Sequence, residues 1–291
     1  MPSRSNIGFG CVSLTAQRRE SEALQLLSAA FEEGITHFDT APVYGQGYSE
    51  KILGKFIKQL RSKITITTKV GLGPVEQKQL PAWMALPLHA LKKKIRSTGS
   101  VEVSSITDPE PLTYRRLDID YVSKSLDNSL RNCRTDYLDY YLLHEALPAF
   151  LTEKAVEFLI KQKETGVVRN LGIAASHVNL NQVDAATSTA WNVLQYENGV
   201  HYDTDKWVRT FENKIHFYHS TLKFLKKAKT DQYTTTDIAG ILLNKAARSN
   251  PQGKVLFSTT KRKTIQDNLK SFEKANSFST EELKNIVNAI Y

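Results

Sequence analysis

Cysteine is almost missing from this chain of 291 residues, with Cys11 and Cys133 the only two. Two thiols cannot build a disulfide framework, so both are expected to be reduced and structural. No apolar run approaches the roughly 18 residues of a membrane span. The opening MPSRSNIGFGCVSL has no apolar core of leader length behind its charges. A cytoplasmic protein without a membrane partner is the expectation. Phosphate-cradling loops of the Walker type and the strained G-x-S-x-G turn of serine hydrolases are both absent. Paired strand-end carboxylates, as glycosidases use, have only Glu145 and Glu197 to draw on. His216 and His219 have a spacing that suggests a metal, but on a strand residues i and i+3 face opposite sides. No metal site is expected.

Acidic residues are outnumbered, 30 against 39 basic ones, for a net charge of +9. The basic groups are scattered, with short clusters at Lys92 to Lys94, Lys226 to Lys229 and Lys261 to Lys263, and few aromatics interleave with them. That pattern does not suit nucleic acid; a mildly basic surface suits phosphorylated small molecules. Hydrophobic residues at 41% and charged residues at 24% are those of a folded globular chain.

Short apolar or β-branched runs alternate with stretches of helical spacing along most of the chain. NIGFGCVSL precedes a helix over 17–34, THFDTA one over 48–61, and ITITTKV leads to one over 120–133. YLDYYLLH, VRNLGIAAS and WNVLQYENG precede helices over 153–165, 179–187 and 205–211; KIHFYHS precedes 221–229 and 236–248, and VLFSTT precedes 263–274. Eight strand-helix units in one domain, residues 1–291, predict a closed (β/α)8 TIM barrel of the α/β class, with a doubly wound open sheet as the fallback. Residues 71–118, with five prolines and one short helix candidate over 88–96, read as a lid over the barrel or as a surface loop.

In such a barrel the carboxyl ends of the strands share one mouth. Asp39 ends the second strand, Lys69 the third and His144 the fourth, and neighbouring strands lie about 4.8 Å apart. Tyr44 lies in the turn after Asp39, where Gly45 and Gly47 allow it to fold back over them. A buried ammonium needs a partner, which Asp39 supplies, and the charged Lys69 is expected to lower the phenol's pKa towards the working pH.

At these residues the chain resembles the aldo-keto reductase family, whose motifs appear as FDTAPVYGQGYSEKILGK, TTKVG, DYLDYYLLH and GVVRNLGIAAS. The resemblance covers residues 7 to about 198 and implies a barrel enzyme that interconverts an aldehyde, ketone or aldose with its alcohol. It implies NADP as cofactor, with NAD the alternative, and Asp39, Tyr44, Lys69 and His144 as catalytic residues, Tyr44 being the general acid or base. Gln195 matches a glutamine on the nicotinamide carboxamide, and Tyr218 an aromatic on which that ring stacks. Ser258, Thr259, Lys261 and Arg262 match phosphate-binding positions, Asp267 and Asn268 an acidic-Asn pair near adenine. Two departures stand out. Ala174-Ala175 replaces the family's Ser-Asn pair, with Ser176 and His177 as candidate substitutes, and Thr264 replaces an arginine. The first motivates a rival expectation, a barrel of weak turnover serving as a binding or regulatory protein. Trp83, Met84 and Trp207 are candidates for lining the substrate side of the mouth. The partner is expected to be a small carbonyl compound or sugar; oligomeric state is not written in the sequence.

Overall fold

The computed structural model describes residues 1–72, 117–145, 148–182 and 190–291. The helix candidate over 88–96, Trp83, Met84, most of the expected lid and the latter part of the helix expected over 179–187 lie outside them. Eight parallel strands close on themselves in chain order: β1 (Ile7–Gly10), β2 (His37–Asp39), β3 (Thr65–Val70), β4 (Leu138–His144), β5 (Val168–Ala174), β6 (Trp191–Glu197), β7 (Ile215–His219) and β8 (Lys254–Phe257). β8 returns to β1 with Phe9 opposite Phe257, and this pairing closes the barrel. Around it run α1 (Glu20–Glu32), α2 (Tyr48–Phe56), α3 (Ile119–Cys133), α4 (Glu153–Glu164), α5 (His177–Leu180), α6 (Asp205–Thr210), α7 (Thr235–Ser249), α8 (Arg262–Lys274) and α9 (Thr280–Ile290).

Side-chain parity along the strands divides the interior in two. One set, including Phe9, Phe38, Ile66, Tyr141, Leu143, Leu194, Tyr196 and Tyr218, packs outward against the helices. The other fills the lumen, where Leu142, Ala174, Val193 and Phe217 form a small apolar layer. Below it His37 bonds Thr65 Oγ1 at 2.9 Å and Thr67 Oγ1 at 3.3 Å, and its ring meets Tyr140 and Phe217 edge to face. The lumen is therefore a packed core, and Gly8 is glycine because a Cβ there would strike Leu256 and His37.

At the amino ends of the strands a buried Asp139 anchors the wall. It accepts from Arg61 at 2.8 Å, Arg169 at 2.9 Å and the Ile66 amide at 3.0 Å. Both guanidinium groups lie over the Tyr137 ring, at 3.7 and 4.1 Å from its centroid. Gly34 and Gly166 take left-handed φ just past α1 and α4, as the sequence suggests.

Two elements differ from the sequence reading. Residues 221–229 form turns and a single 3-10 turn, Leu225–Lys227, where a helix is expected. The clustered lysines give that stretch little apolar face, and the carboxyl terminus holds it instead: Tyr291 Oη donates to the Phe224 carbonyl and the Ile290 carbonyl accepts from the Lys229 amide. The helix α9, not anticipated, begins at a capping box in which Ser279 Oγ accepts from the Glu282 amide and Glu282 accepts from the Ser279 amide. It buries Leu283, Val287 and Ile290 against Ile238, Ile241 and Leu242 of α7. Each such side chain contributes about 1.5–3 kcal/mol on full burial.

Candidate active site

The turn between β2 and α2 is shaped by three successive left-handed residues, Gly45 (φ 58°), Gln46 (φ 56°) and Gly47 (φ 85°). A side chain on Gly45 would run into Thr15, so the turn packs against the β1 loop as well as bending sharply. Ser49 ties it down, accepting from Thr40 Oγ1 at 2.8 Å, donating to the Cys11 carbonyl at 3.0 Å and bonding the Tyr44 carbonyl through its amide. Tyr44 is thereby carried back over the barrel mouth.

Beneath it Lys69 Nζ donates to Asp39 Oδ1 at 2.7 Å and to the Thr40 carbonyl at 2.9 Å, with Lys69 only 2% and Asp39 3% exposed. Gln195 Nε2 donates to the other Asp39 oxygen at 3.0 Å. The ammonium lies 5.3 Å from the centre of the Tyr44 ring, and the His144 ring stands perpendicular to that ring at 6.2 Å. Asp39, Tyr44, Lys69 and His144 thus meet in one place, although 105 positions separate the first from the last in sequence (144 minus 39).

Electrostatics here are set by burial first. It would lower the Lys69 pKa, but Asp39, Tyr44 and the hydrogen bonds to both overcome it and hold the ammonium above its ordinary value. Burial raises the Asp39 carboxyl, with Lys69 and Gln195 opposing. Tyr44 corrects an expectation: burial raises its pKa by more than Lys69 lowers it, so the side chain stays a phenol near neutrality. Burial, Lys69 and His219 together push His144 well below 6.5, leaving a neutral imidazole. The mouth therefore presents a protonated phenol and a neutral imidazole to one spot above a fixed positive charge.

Of the matched cofactor positions, Gln195 is buried in the mouth, and its Oε1 has no hydrogen-bond partner among the described residues. Tyr218 is not there. It is fully buried on the outward face of β7, packed on Tyr196 at 5.3 Å, whereas Phe217 and His219 have the lumen parity. The ring at the mouth is His219, one position on, where it senses Lys69, Glu197 and His177; burial lowers its pKa to about 4. Strict strand alternation is the sequence signal that points to it. Ser258, whose hydroxyl donates to the Gly10 carbonyl at 2.8 Å, Thr259, Lys261 and Arg262 gather at the start of α8, a helix without acidic residues in its first turn. Asp267 pairs with Lys263 at 3.0 Å, and Asn268 is buried.

Ala174 and Ala175 are buried; of the two candidate substitutes, His177 has both ring nitrogens engaged elsewhere, and Ser176 is exposed. The Ser176 amide donates to Glu145 Oε2 at 3.0 Å; His177 bonds the Glu197 carbonyl at 2.7 Å and accepts from Trp207 Nε1 at 2.9 Å. Trp207 accordingly sits behind His177, buried and stacked on Phe211, instead of lining the mouth. His216 faces outward between Tyr196 and the Phe211 carbonyl, away from His219. No group of three metal-ligating side chains occurs among the described residues, and none of their helices is long and apolar enough to cross a membrane.

Comparison with known proteins agrees with this architecture. The chain is 28% identical over 216 residues to a probable aldo-keto reductase of Glycine max, covering 72% of this chain and 51% of that protein. It is 30% identical over 178 residues to an NADP(+) aldo-keto reductase of Schizosaccharomyces pombe, covering 60% and 43%. The chain spans about half the length of the curated relatives it matches. Among solved structures, an aldo-keto reductase of Bacillus halodurans in its holo form superposes with a TM-score of 0.70 at 20% identity, over 98% of this chain and 92% of that one. One of Klebsiella pneumoniae in complex with NADPH gives 0.65 at 19% identity, over 98% and 90%. At such identities these likenesses speak for the fold. The family model described as Aldo/keto reductase family matches residues 6–201, and the chain belongs to that family.

Proposed function

We propose that the protein is an NADP(H)-dependent oxidoreductase that interconverts a small aldehyde, ketone or aldose with its alcohol, with Tyr44 as the proton donor in reduction. The observation that carries this reading is the buried Lys69–Asp39 pair lying directly under a phenol that burial keeps protonated.

The residues fit a nicotinamide dinucleotide. The unpaired Gln195 Oε1 is an acceptor awaiting an amide N–H, and its Nε2 is fixed by Asp39, so the orientation is set. The start of α8 offers backbone amides, the Thr259 hydroxyl and the cations Lys261 and Arg262 for a phosphate, the Ser258 hydroxyl being already given to the Gly10 carbonyl. His219, neutral and at the mouth, takes the stacking role the sequence gives to Tyr218. When bound, the cofactor supplies the hydride that no side chain here can deliver.

The protein's own part is orientation and proton delivery. His144 and Tyr44 both direct an N–H or O–H donor at the carbonyl oxygen, which fixes its position. As negative charge grows on that oxygen, Tyr44 releases its proton, and the adjacent Lys69 ammonium stabilises the phenolate left behind. Asp39 keeps the ammonium in place. In the opposite direction the phenol must first lose its proton, so oxidation needs a higher pH.

NADPH fluorescence titration followed by NADPH consumption against aldehydes, ketones and aldoses tests the reading. Binding with turnover of at least one class is expected; binding without turnover of any class favours the regulatory barrel that Ala174-Ala175 suggests.

A further inference from the structure

A second buried carboxylate lies behind the ion pair of the mouth, and the proposed chemistry does not use it. Glu50, in the first turn of α2, is 1% exposed. Its Oε1 accepts from Thr68 Oγ1 at 2.7 Å and Ser129 Oγ at 2.8 Å, and its Oε2 accepts from Asn132 Nδ2 at 3.1 Å. Burial raises the Glu50 pKa, and the donors that converge on it from β3 and α3, together with the Lys69 charge, oppose that rise and favour the anion. As a mere tie between elements this would be costly, since apolar side chains of the same shape hold helices to a sheet without desolvating a charge.

Its place in the chain gives it another use. Thr68 is the residue before Lys69, and Ser49, the residue before Glu50, holds the Tyr44 turn. We propose that Glu50 is a positioning residue of the reaction: it locks the Tyr44 turn to the Lys69 strand, and its negative charge helps retain the proton of the Lys69–Tyr44 pair. This rests on the oxidoreductase reading for its consequence in turnover, but not for its effect on the pair.

The surroundings leave few other charges to act. Glu50 is faced by Lys69 from β3, Cys133 from α3 and Tyr141 from β4. Lys69 is faced by Asp39, Tyr44, His37, His144, His219 and Cys11. Burial drives both thiols and Tyr141 upward and the three histidines downward, so all are neutral near pH 7. Asp39 and Glu50 are the carboxylates in this set of described residues.

Glu50→Gln isolates the charge. Its carbonyl can still accept from Thr68 and Ser129, and Asn132 can turn its amide to accept from the new N–H. The Tyr44 signal of 13C-tyrosine-labelled protein, assigned with Tyr44→Phe, is titrated in wild type and variant by NMR. In E50Q the midpoint is expected to fall by about one pH unit, a tenfold loss of proton affinity. The alkaline limb of kcat should move with it, kcat should drop with KM unchanged, and NADPH binding should persist. The exchange variant E50Q/N132D, which returns a carboxylate to the same contact, should lie between the two; if E50Q does not fold, it is compared with wild type alone. Identical midpoints in the folded variant and wild type overturn the proposal. A wild type that turns over nothing sinks the oxidoreductase reading instead, and the titration still decides the role of Glu50.

Discussion

Two buried aspartates, each paired with a cation, lie towards opposite ends of the barrel wall and do different work. Asp139, near the start of β4, is saturated by two arginines and a backbone amide, and those arginines are stacked on Tyr137. Asp39, at the end of β2, is paired with a lysine whose ammonium also faces the ring of Tyr44 at the barrel mouth. Arginine does not give up its proton and its planar fork suits a fixed two-sided contact, whereas lysine is a compact charge that can couple to a neighbour's proton. The carboxylates are alike; the cation and what stands beyond it separate a structural anchor from the site proposed to be reactive.

Exchanging the damage between the two pairs breaks the comparison most sharply. Tyr44→Phe, Lys69→Met or Asp39→Asn should cut turnover by about 10²–10⁴-fold, the usual range for a lost proton donor or its support. NADPH affinity measured by fluorescence should stay near wild type in Tyr44→Phe. Asp139→Asn should do the reverse: a loss of about 3–5 kcal/mol in urea denaturation, as for a broken buried pair, with turnover per folded molecule unchanged. A catalytic defect in D139N without a stability defect would erase the distinction.

Acid sharpens it next. His219 has a pKa of about 4 in the folded chain against about 6.5 unfolded, so between those values the unfolded state binds more protons. Stability is intact above pH 6.5 and falls as pH drops towards 4, by up to about 3 kcal/mol from this histidine. His37 and His144, also depressed by burial, add to the slope with the same sign. Urea midpoints measured from pH 7 to pH 4 check this, and a flat profile would contradict it. Because burial raises the Tyr44 pKa, reduction should hold through neutrality and fail at alkaline pH, while oxidation should rise there. The smallest expected effect is at the cofactor: His219→Ala should weaken NADPH binding by about 1 kcal/mol, the worth of one stacked ring, roughly fivefold.

Much of this is readable from residue order. Strand-helix alternation points to the closed barrel, and the strand-end placement of Asp39, Lys69 and His144 points to one mouth, because parallel strands deliver their last side chains to a common rim. Motif matching misplaces Tyr218 for a physical reason. In HFYHS aromatic rings occupy both parities of β7, and a shift of one residue turns a side chain from the lumen to the helix layer. Composition cannot choose between them; the outward packing of Tyr218 on Tyr196 does. The acidity of Tyr44 escapes the sequence because adjacency to Lys69 is visible in a motif, while the depth of burial that outweighs it emerges only when the turn is folded. Glu50 reads in sequence as an ordinary first-turn acid of a helix, and its partners Ser129 and Asn132 lie 79 and 82 positions away.

Turnover as proposed depends on the proton of Tyr44 being held and released beside the Lys69 ammonium. NADPH oxidation by wild type and Tyr44→Phe, at matched cofactor saturation on whichever carbonyl substrate the wild type reduces fastest, measures that most directly. Equal NADPH affinity with a rate loss of about 100-fold or more in the variant is the predicted result. Equal rates in the two proteins would contradict it.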